Sequence, residues 1–382
     1  MSPPVRDMLA QLEDAAARGP SAVEELLAAT TFPAVEGRTV TFVYQGEGEA
    51  VALQHWIHGL PGHLPFRRLR GSDVWVLQID LPPGSRMEYK LAVEHFGRPL
   101  LMRDPRNPHA ARDPFGANSV VYGDGYRPPD WSIEDPDARR GSVEERRVPS
   151  AQFGDVRDVQ VYLPARFRST RRYPLLIVHD GADYLRFASL QTVLDNLIHR
   201  LLVPPLVVAM LQSPDRMREY AADDRHADFV AEELLPQLED WYPLVKQPAA
   251  RGLCGASFGA VASLHCAWRH PGAFGRLLLQ SGSFVFTEIG DHDRGPVFDP
   301  VVQFVNAFRR APGRPAEQAY VSCGVYESLI YFHRAMVPLL QDAGVAVRAR
   351  EANDGHNWEN WRDRLREGLG WLFPGQIRMV YE

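Results

Sequence analysis

From Val156 onward, short apolar runs alternate with helical stretches for the rest of the chain, and this alternation limits the architecture more than any other feature. The runs are DVQVYLP (158 to 164), PLLIVHD (174 to 180), LVVAMLQ (206 to 212), ARGLCGAS (250 to 257), RLLLQSG (276 to 282), AYVSCG (319 to 324) and VAVRARE (345 to 351). Several are almost continuously apolar, as strands covered on both faces must be. A strand followed by a helix, repeated, closes into an α/β fold with a mostly parallel central sheet and right-handed crossovers.

The first third has a different texture. Met8, Leu9 and Leu12, with Val5 before them, recur at helical spacing, and Val23 to Ala29 offers a second short helix that should pack on something later. From Thr39 the runs are β-rich and separated by turn residues: TVTFVY (39 to 44), AVALQHWI (50 to 57), DVWVLQIDL (73 to 81) and RMEYKLAV (86 to 93). These read as a small antiparallel β-sandwich of immunoglobulin-like type. DPRNPHAARDPFGANSVV (104 to 121) ends in one more short strand, and DGYRPPDWSIEDPDARRG (124 to 141) reads as an exposed linker. The expected division is therefore residues 1–140, helices plus sandwich and linker, and residues 141–382, the α/β domain.

At 382 residues the chain is long enough for two such domains, and its 45% hydrophobic content is that of a globular protein. The formal net charge is −6, so the overall basic character of a nucleic-acid binder is missing. Lys90 and Lys246 are the only lysines, which a coding bias explains more simply than phosphate recognition. Cys254, Cys266 and Cys323 stand in apolar surroundings and are expected as free buried thiols of a reducing compartment. The opening segment carries acids and no signal-type apolar run, and no stretch has the length of a membrane span, so the expected location is cytoplasmic, with no membrane partner.

Gly255-Ala256-Ser257-Phe258-Gly259 lies directly after the strand ARGLC and directly before the helical run AVASLHCAWRH. A G-x-S-x-G in that setting is a nucleophile elbow, a tight turn that exposes a serine hydroxyl between small flanking residues. A serine hydroxyl needs a base, and the base needs an orienting acid. His356, in the Gly-bearing loop NDGHNW after the last strand, stands where an α/β-hydrolase carries its base. Glu327, just beyond the strand AYVSC, is the best placed acid; Asp342, Asp354 and the loop acids Asp291, Asp293 and Asp299 are alternatives. Oxyanion donors would be the amide of Phe258 and that of Ala182 in HDGADYL, where Gly181 allows the backbone to bend. No H-E-x-x-H, C-x-x-C, dinucleotide or P-loop pattern is present, so neither a metal nor another cofactor is expected. Trp56, Trp75 and Tyr89 are read as sandwich core rather than a sugar-stacking platform.

With these residues in view, the chain resembles the esterases of the α/β-hydrolase fold that include enterochelin (enterobactin) esterase, esterase D and bacterial feruloyl esterases. The resemblance rests on LLIVHDGADYL (175 to 185), Arg218-Glu219-Tyr220 ahead of FVAEELLP (229 to 236), GASFGA (255 to 260), LQSGSF (279 to 284), GVYESL (324 to 329) and DGHNWENW (354 to 361). TFPAVEGRTVTFVYQG (31 to 46) and DPRNPHAARDPFGANSVV look like the domain that precedes the hydrolase in enterochelin esterase. The resemblance implies Ser257 as nucleophile, His356 as base, Glu327 as acid, and the Ala182 and Phe258 amides as oxyanion hole. It also implies that Asp180, Gly181, Arg218 and Ser283 line the substrate site. The segment before the histidine reads Asn-Asp-Gly where Gly-Gly is common in the family.

The function so implied is a serine carboxylesterase acting on a small-molecule ester, first of all a siderophore esterase that opens a catecholate iron carrier in the cytoplasm. Feruloyl or acetyl esters of polysaccharides are the runner-up. A reading from another class is a binding protein on a hydrolase scaffold with a vestigial triad. A homodimer is compatible with the sequence.

Overall fold

The structure is a computed structural model that describes residues 7–287 and 293–375. Two of the residues singled out above, Val5 and Asp291, lie outside the described residues. The chain forms two compact units. Among the described residues, the first is 7–127 together with the short segments 325–328 and 352–355, and the second is the remainder. They part at Arg127–Pro128, inside the stretch read as linker.

The first unit begins with helices Met8–Arg18 and Pro20–Ala29. The Asp7 carboxylate caps the first by accepting from the Leu9 amide at 2.7 Å, and Pro20 opens the second, where its missing N–H costs nothing. Met8, Leu12, Ala15, Val23 and Leu27 bury against Leu69, Val43, Val74 and Val76. Two antiparallel sheets follow. One pairs Ala34–Glu36, Thr39–Gln45, Val74–Asp80 and Arg67–Arg68. The other has six strands and is centred on Ala50–His55, Arg86–His95 and Gly116–Tyr122. Alternate residues turn inward to a shared core that includes Val40, Phe42, Val51, Leu53, Trp75, Tyr89, Leu91 and Val121. Trp75 and Tyr89 are core as expected, whereas Trp56 is 52% exposed, because the strand that should have carried it ends at His55.

The second unit holds an eight-stranded sheet: β1 Ser142–Ser150, β2 Asp155–Leu163, β3 Leu175–Val178, β4 Val207–Leu211, β5 Arg251–Ala256, β6 Arg276–Gln280, β7 Gln318–Gly324 and β8 Ala346–Ala352. The strand order is β1-β2-β4-β3-β5-β6-β7-β8. β2 is antiparallel to β1 and to β4, and the run β4-β3-β5-β6-β7 is parallel. Neighbouring side chains of one strand enter opposite cores. Leu175 and Ile177 join the apolar cluster that holds Val261, Leu264 and Phe304; Leu176 and Val178 join the one that holds Leu194, Leu365 and Leu369. That two-sided burial is why the strands read as continuous apolar runs. β3 connects to β4 on one side and β5 to β6 on the other, so the strand order reverses between the carboxyl ends of β3 and β5. A crevice opens there in sheets of this kind. Among the described residues no helix is long and apolar enough to cross a membrane.

Candidate active site

Ser257 directly follows β5 and is the residue before the helix Phe258–Arg269. Its backbone sits at φ 57°, ψ −119°, a conformation that costs a non-glycine residue about 1–3 kcal/mol and persists only where the surroundings enforce it. The enforcement is visible. The Ser257 amide donates to the Gln280 carbonyl at 2.9 Å, and its carbonyl accepts from the Ser283 amide at 3.2 Å. A Cβ on Gly255 would lie 2.3 Å from the Gly259 carbonyl, so strand and helix approach too closely there for any side chain. One on Gly259 would lie 3.2 Å from the His179 Cβ. The Ser257 and Ser283 hydroxyls are 3.2 Å apart, and either can donate.

Across the crevice, β3 runs into Asp180, at φ 57°, ψ 37°, and then the helix Gly181–Phe187. Gly181 is obligatory, because a Cβ would come within 2.3 Å of the Met210 Cβ on β4. Ala182 and Phe258 are thus both in the first turn of a helix, where amides have no intrahelical acceptor and the helix dipole is positive. The Asp180 carboxylate is buried and gripped by Arg216 through two bonds of 2.7 and 2.8 Å. Burial raises its pKa, with the Arg216 hydrogen bonds and charge pulling the other way. The guanidinium on Asp180 is Arg216; Arg218, two residues on, is exposed. Arg218 and Glu219 lie on the short helix Arg216–Glu219, and it is Arg216 of that helix that turns inward.

The remaining residues follow β7 and β8. Glu327 is buried three residues after β7 ends, and Asp354 is buried two residues after β8 ends. Asp354 Oδ1 accepts from Arg86 at 3.3 Å and from the Gly355 amide at 2.7 Å. His356 is exposed and precedes the helix Trp358–Leu372, whose cap is Asn357 accepting from the Asn360 amide at 2.9 Å. Of the other acids considered, Asp342 ends the helix Ile330–Asp342, and Asp293 and Asp299 are exposed.

Two residues that the sequence did not single out link the surroundings of Ser257 to the helix that follows His356. Gln280, fully buried, donates its side-chain amide to the Trp361 carbonyl at 2.8 Å and accepts from the Tyr184 hydroxyl at 2.7 Å. The Trp361 indole donates to Ser281 Oγ at 2.9 Å and meets the His356 ring edge to face. Only the repeated tryptophans of DGHNWENW hinted at this packing.

One group among the described residues has metal-ligating atoms close together: Asp228, Glu232 and His270, within 4.8 Å. Arg269 already holds both Asp228 oxygens at 2.6 and 3.0 Å, so the group is satisfied as an ion-pair cluster. The three cysteines are buried and in no disulfide.

The family described as Putative esterase matches residues 150–372, more than half of the chain. The iron(III) enterobactin esterase of Dickeya dadantii is 29% identical over 258 residues, 63% of this chain and 56% of that protein. The chain therefore spans little more than half the length of that relative in the match. The iron(III) enterobactin esterase of Escherichia coli O6:H1 (strain CFT073) is 25% identical over 330 residues, 80% of each chain. Among solved structures, the ferric enterobactin esterase of Salmonella typhimurium aligns over 91% of this chain and 98% of its own with a TM-score of 0.74 at 21% identity. A ferulic acid esterase aligns over 61% of this chain and 98% of its own with a TM-score of 0.54 at 19% identity. An α/β-hydrolase sheet with a serine on a strained elbow, in a chain matched by that family over its catalytic half, makes the conclusion plain: the protein belongs to the esterase family and is a carboxylic ester hydrolase.

Proposed function

We propose that the protein is a serine carboxylesterase with Ser257 as nucleophile, His356 as base and Glu327 as acid, and that its substrate is a catecholate siderophore of the enterobactin type. The observation that carries the catalytic part is the elbow at Ser257, strained at φ 57° and packed too closely for a Cβ at Gly255. His356 takes the Ser257 proton as Oγ attacks the ester carbonyl. Charge develops on the carbonyl oxygen, and the first-turn amides of Ala182 and Phe258 are suited to receive it. Collapse of the tetrahedral intermediate expels the alcohol, which takes its proton from His356. Water then repeats the sequence on the acyl-enzyme and frees Ser257. Glu327, buried just beyond β7, is the acid we assign, and Asp354 holds Arg86 and the Gly355 amide. Asp180, Gly181 and Ser283, with Arg218 beyond them, would border the substrate.

The siderophore reading is supported by how much of the chain the likenesses cover. The Escherichia coli enterobactin esterase matches 80% of this chain, whereas the ferulic acid esterase fold extends over 61%. The first therefore reaches into the sandwich unit. The three buried thiols, none in a disulfide, suit action in a reducing cytoplasm.

Chromatography with mass detection tests the proposal on enterobactin, free and iron-loaded, incubated with the protein and with Ser257→Ala. Linear dihydroxybenzoylserine products from the wild type alone are expected. Intact enterobactin in both, with a feruloyl ester cleaved by the wild type, would overturn the siderophore assignment; equal turnover by Ser257→Ala would overturn the nucleophile.

A further inference from the structure

The first compact unit includes two segments from far along the chain, 325–328 and 352–355, and what holds them is the head of one sandwich strand. Ser85 and Arg86 are both fully buried where the strand Arg86–His95 begins. Ser85 Oγ lies 2.8 Å from the Tyr326 hydroxyl and also donates to the Pro82 carbonyl. The Arg86 amide donates to the Asn353 carbonyl at 2.9 Å. Its guanidinium reaches Asp354 Oδ1 at 3.3 Å and Glu88 at 2.8 Å.

These bonds leave the two segments little freedom. The Tyr326 amide donates to the Asp354 carbonyl at 3.1 Å, its carbonyl accepts from the His58 amide at 2.7 Å, and its hydroxyl meets Ser85. Every polar group of the residue before Glu327 is fixed. The Asp354 amide donates to the Ala352 carbonyl at 2.8 Å, and the Asn353 side chain donates to the Pro83 carbonyl at 3.1 Å. The chain entering Gly355 and His356 is therefore fixed as well. A buried guanidinium between two carboxylates is costly to assemble and gives geometric definition more readily than stability.

We propose that Ser85 and Arg86 are positioning residues for catalysis: one β-strand head in the sandwich registers both the segment bearing the acid and the segment leading to the base. This rests on the assignment of Glu327 and His356 to those roles. It gives the sandwich unit a part in turnover that is independent of any contact with substrate.

The test uses the full chain and p-nitrophenyl butyrate, an ester small enough that contacts to a large substrate do not enter. Misplacement of a catalytic group by about 1 Å can cost on the order of 100-fold, so Arg86→Met should lose that much in kcat with KM nearly unchanged. Arg86→Lys should recover part of the loss, and the pH profile of kcat/KM should move with Arg86→Met. Tyr326→Phe removes the hydrogen bond to Ser85, and Ser85→Ala removes it together with the one to the Pro82 carbonyl; each should cost about fivefold or somewhat more in kcat, with the double variant no worse than Ser85→Ala alone. Should Arg86→Met not fold, that milder pair decides.

Ser257→Ala run alongside separates the two levels. If it stays active, the triad assignment fails. If it is inactive while folded Arg86→Met, or both milder variants, keep wild-type kcat, the positioning role is overturned and the triad stands. Losses confined to KM, or in step with falling thermal stability and unaffected by lysine, overturn it too.

Discussion

The imidazole of His356 meets the indole of Trp361 edge to face, with ring centroids 5.0 Å apart and planes at 89°. Trp361 is one turn along the helix that His356 precedes, and its carbonyl and indole N–H are committed to Gln280 and Ser281, on the strand and loop beside Ser257. The ring is thus a fixed wall for the proposed base.

Replacing Trp361 with Phe keeps a ring but removes the donor to Ser281 Oγ, one neutral hydrogen bond worth about 1 kcal/mol. Steady-state kinetics on a simple ester should show kcat/KM down by roughly 5-fold for Trp361→Phe. Trp361→Ala should cost about 3–5 kcal/mol in urea unfolding and far more activity, because the wall is gone.

The two elbow glycines should respond unequally. A methyl on Gly255 would overlap the Gly259 carbonyl at 2.3 Å, backbone against backbone, with nothing flexible to yield. Gly255→Ala is expected to cost about 3 kcal/mol and most of the activity. On Gly259 the nearest atoms stand at 3.2 and 3.3 Å, and alanine brings up to about 1 kcal/mol of helix propensity in return. Gly259→Ala should therefore unfold near the wild-type urea midpoint. Equal destabilisation of the two variants would mean that the elbow is looser than its geometry implies.

Asp180 and Arg216 make a further measurable pair. Arg216→Met leaves a carboxylate that is 1% exposed without its cation and should cost about 3 kcal/mol. Adding Asp180→Asn removes the stranded charge, so the double variant should be more stable than Arg216→Met alone. A double-mutant cycle by urea unfolding gives the coupling, and additive losses would contradict it.

How much of this was legible in sequence depended on how local each feature is. The elbow was legible because Gly255, Ser257 and Gly259 are neighbours whose turn needs no distant partner. The parallel strands were legible because burial on both faces makes them uniformly apolar. β1 was not, since SVEERRVPS is an edge strand whose side chains are largely solvated, so its sequence shows no apolar run. Trp56 was misjudged because alternation was extended past the strand's end at His55. Ser85 and Arg86 carried no local signal at all. Their partners are 241 and 268 residues away, and in RMEYKLAV the arginine looks like an ordinary solvated strand start.

The core beneath the elbow should make the protein acid-sensitive. His179 Nδ1 is 2.9 Å from Ser263 Oγ and 3.2 Å from the Cys254 carbonyl. Ser263 spends its own hydrogen on the Gly259 carbonyl, so Nδ1 must carry the proton. Nε2 is then bare and accepts from His226 Nε2 at 3.1 Å. Burial, with the Arg216 charge adding to it, lowers the His179 pKa from 6.5 to about 4; burial lowers that of His226 well below its ordinary value. Between pH 6.5 and 4 the unfolded chain binds protons at these sites that the folded chain refuses. Stability is therefore complete above about pH 6.5 and falls as pH drops toward 4. His179 alone accounts for roughly 3 kcal/mol of that loss. Protonation at Nε2 would also set N–H against N–H within the pair. Urea midpoints at pH 7, 5.5 and 4.5 should descend accordingly. His179→Asn, which keeps a donor near the Nδ1 position, should be less stable at pH 7 yet lose less on acidification. Equal slopes for wild type and variant would remove the pair as the source.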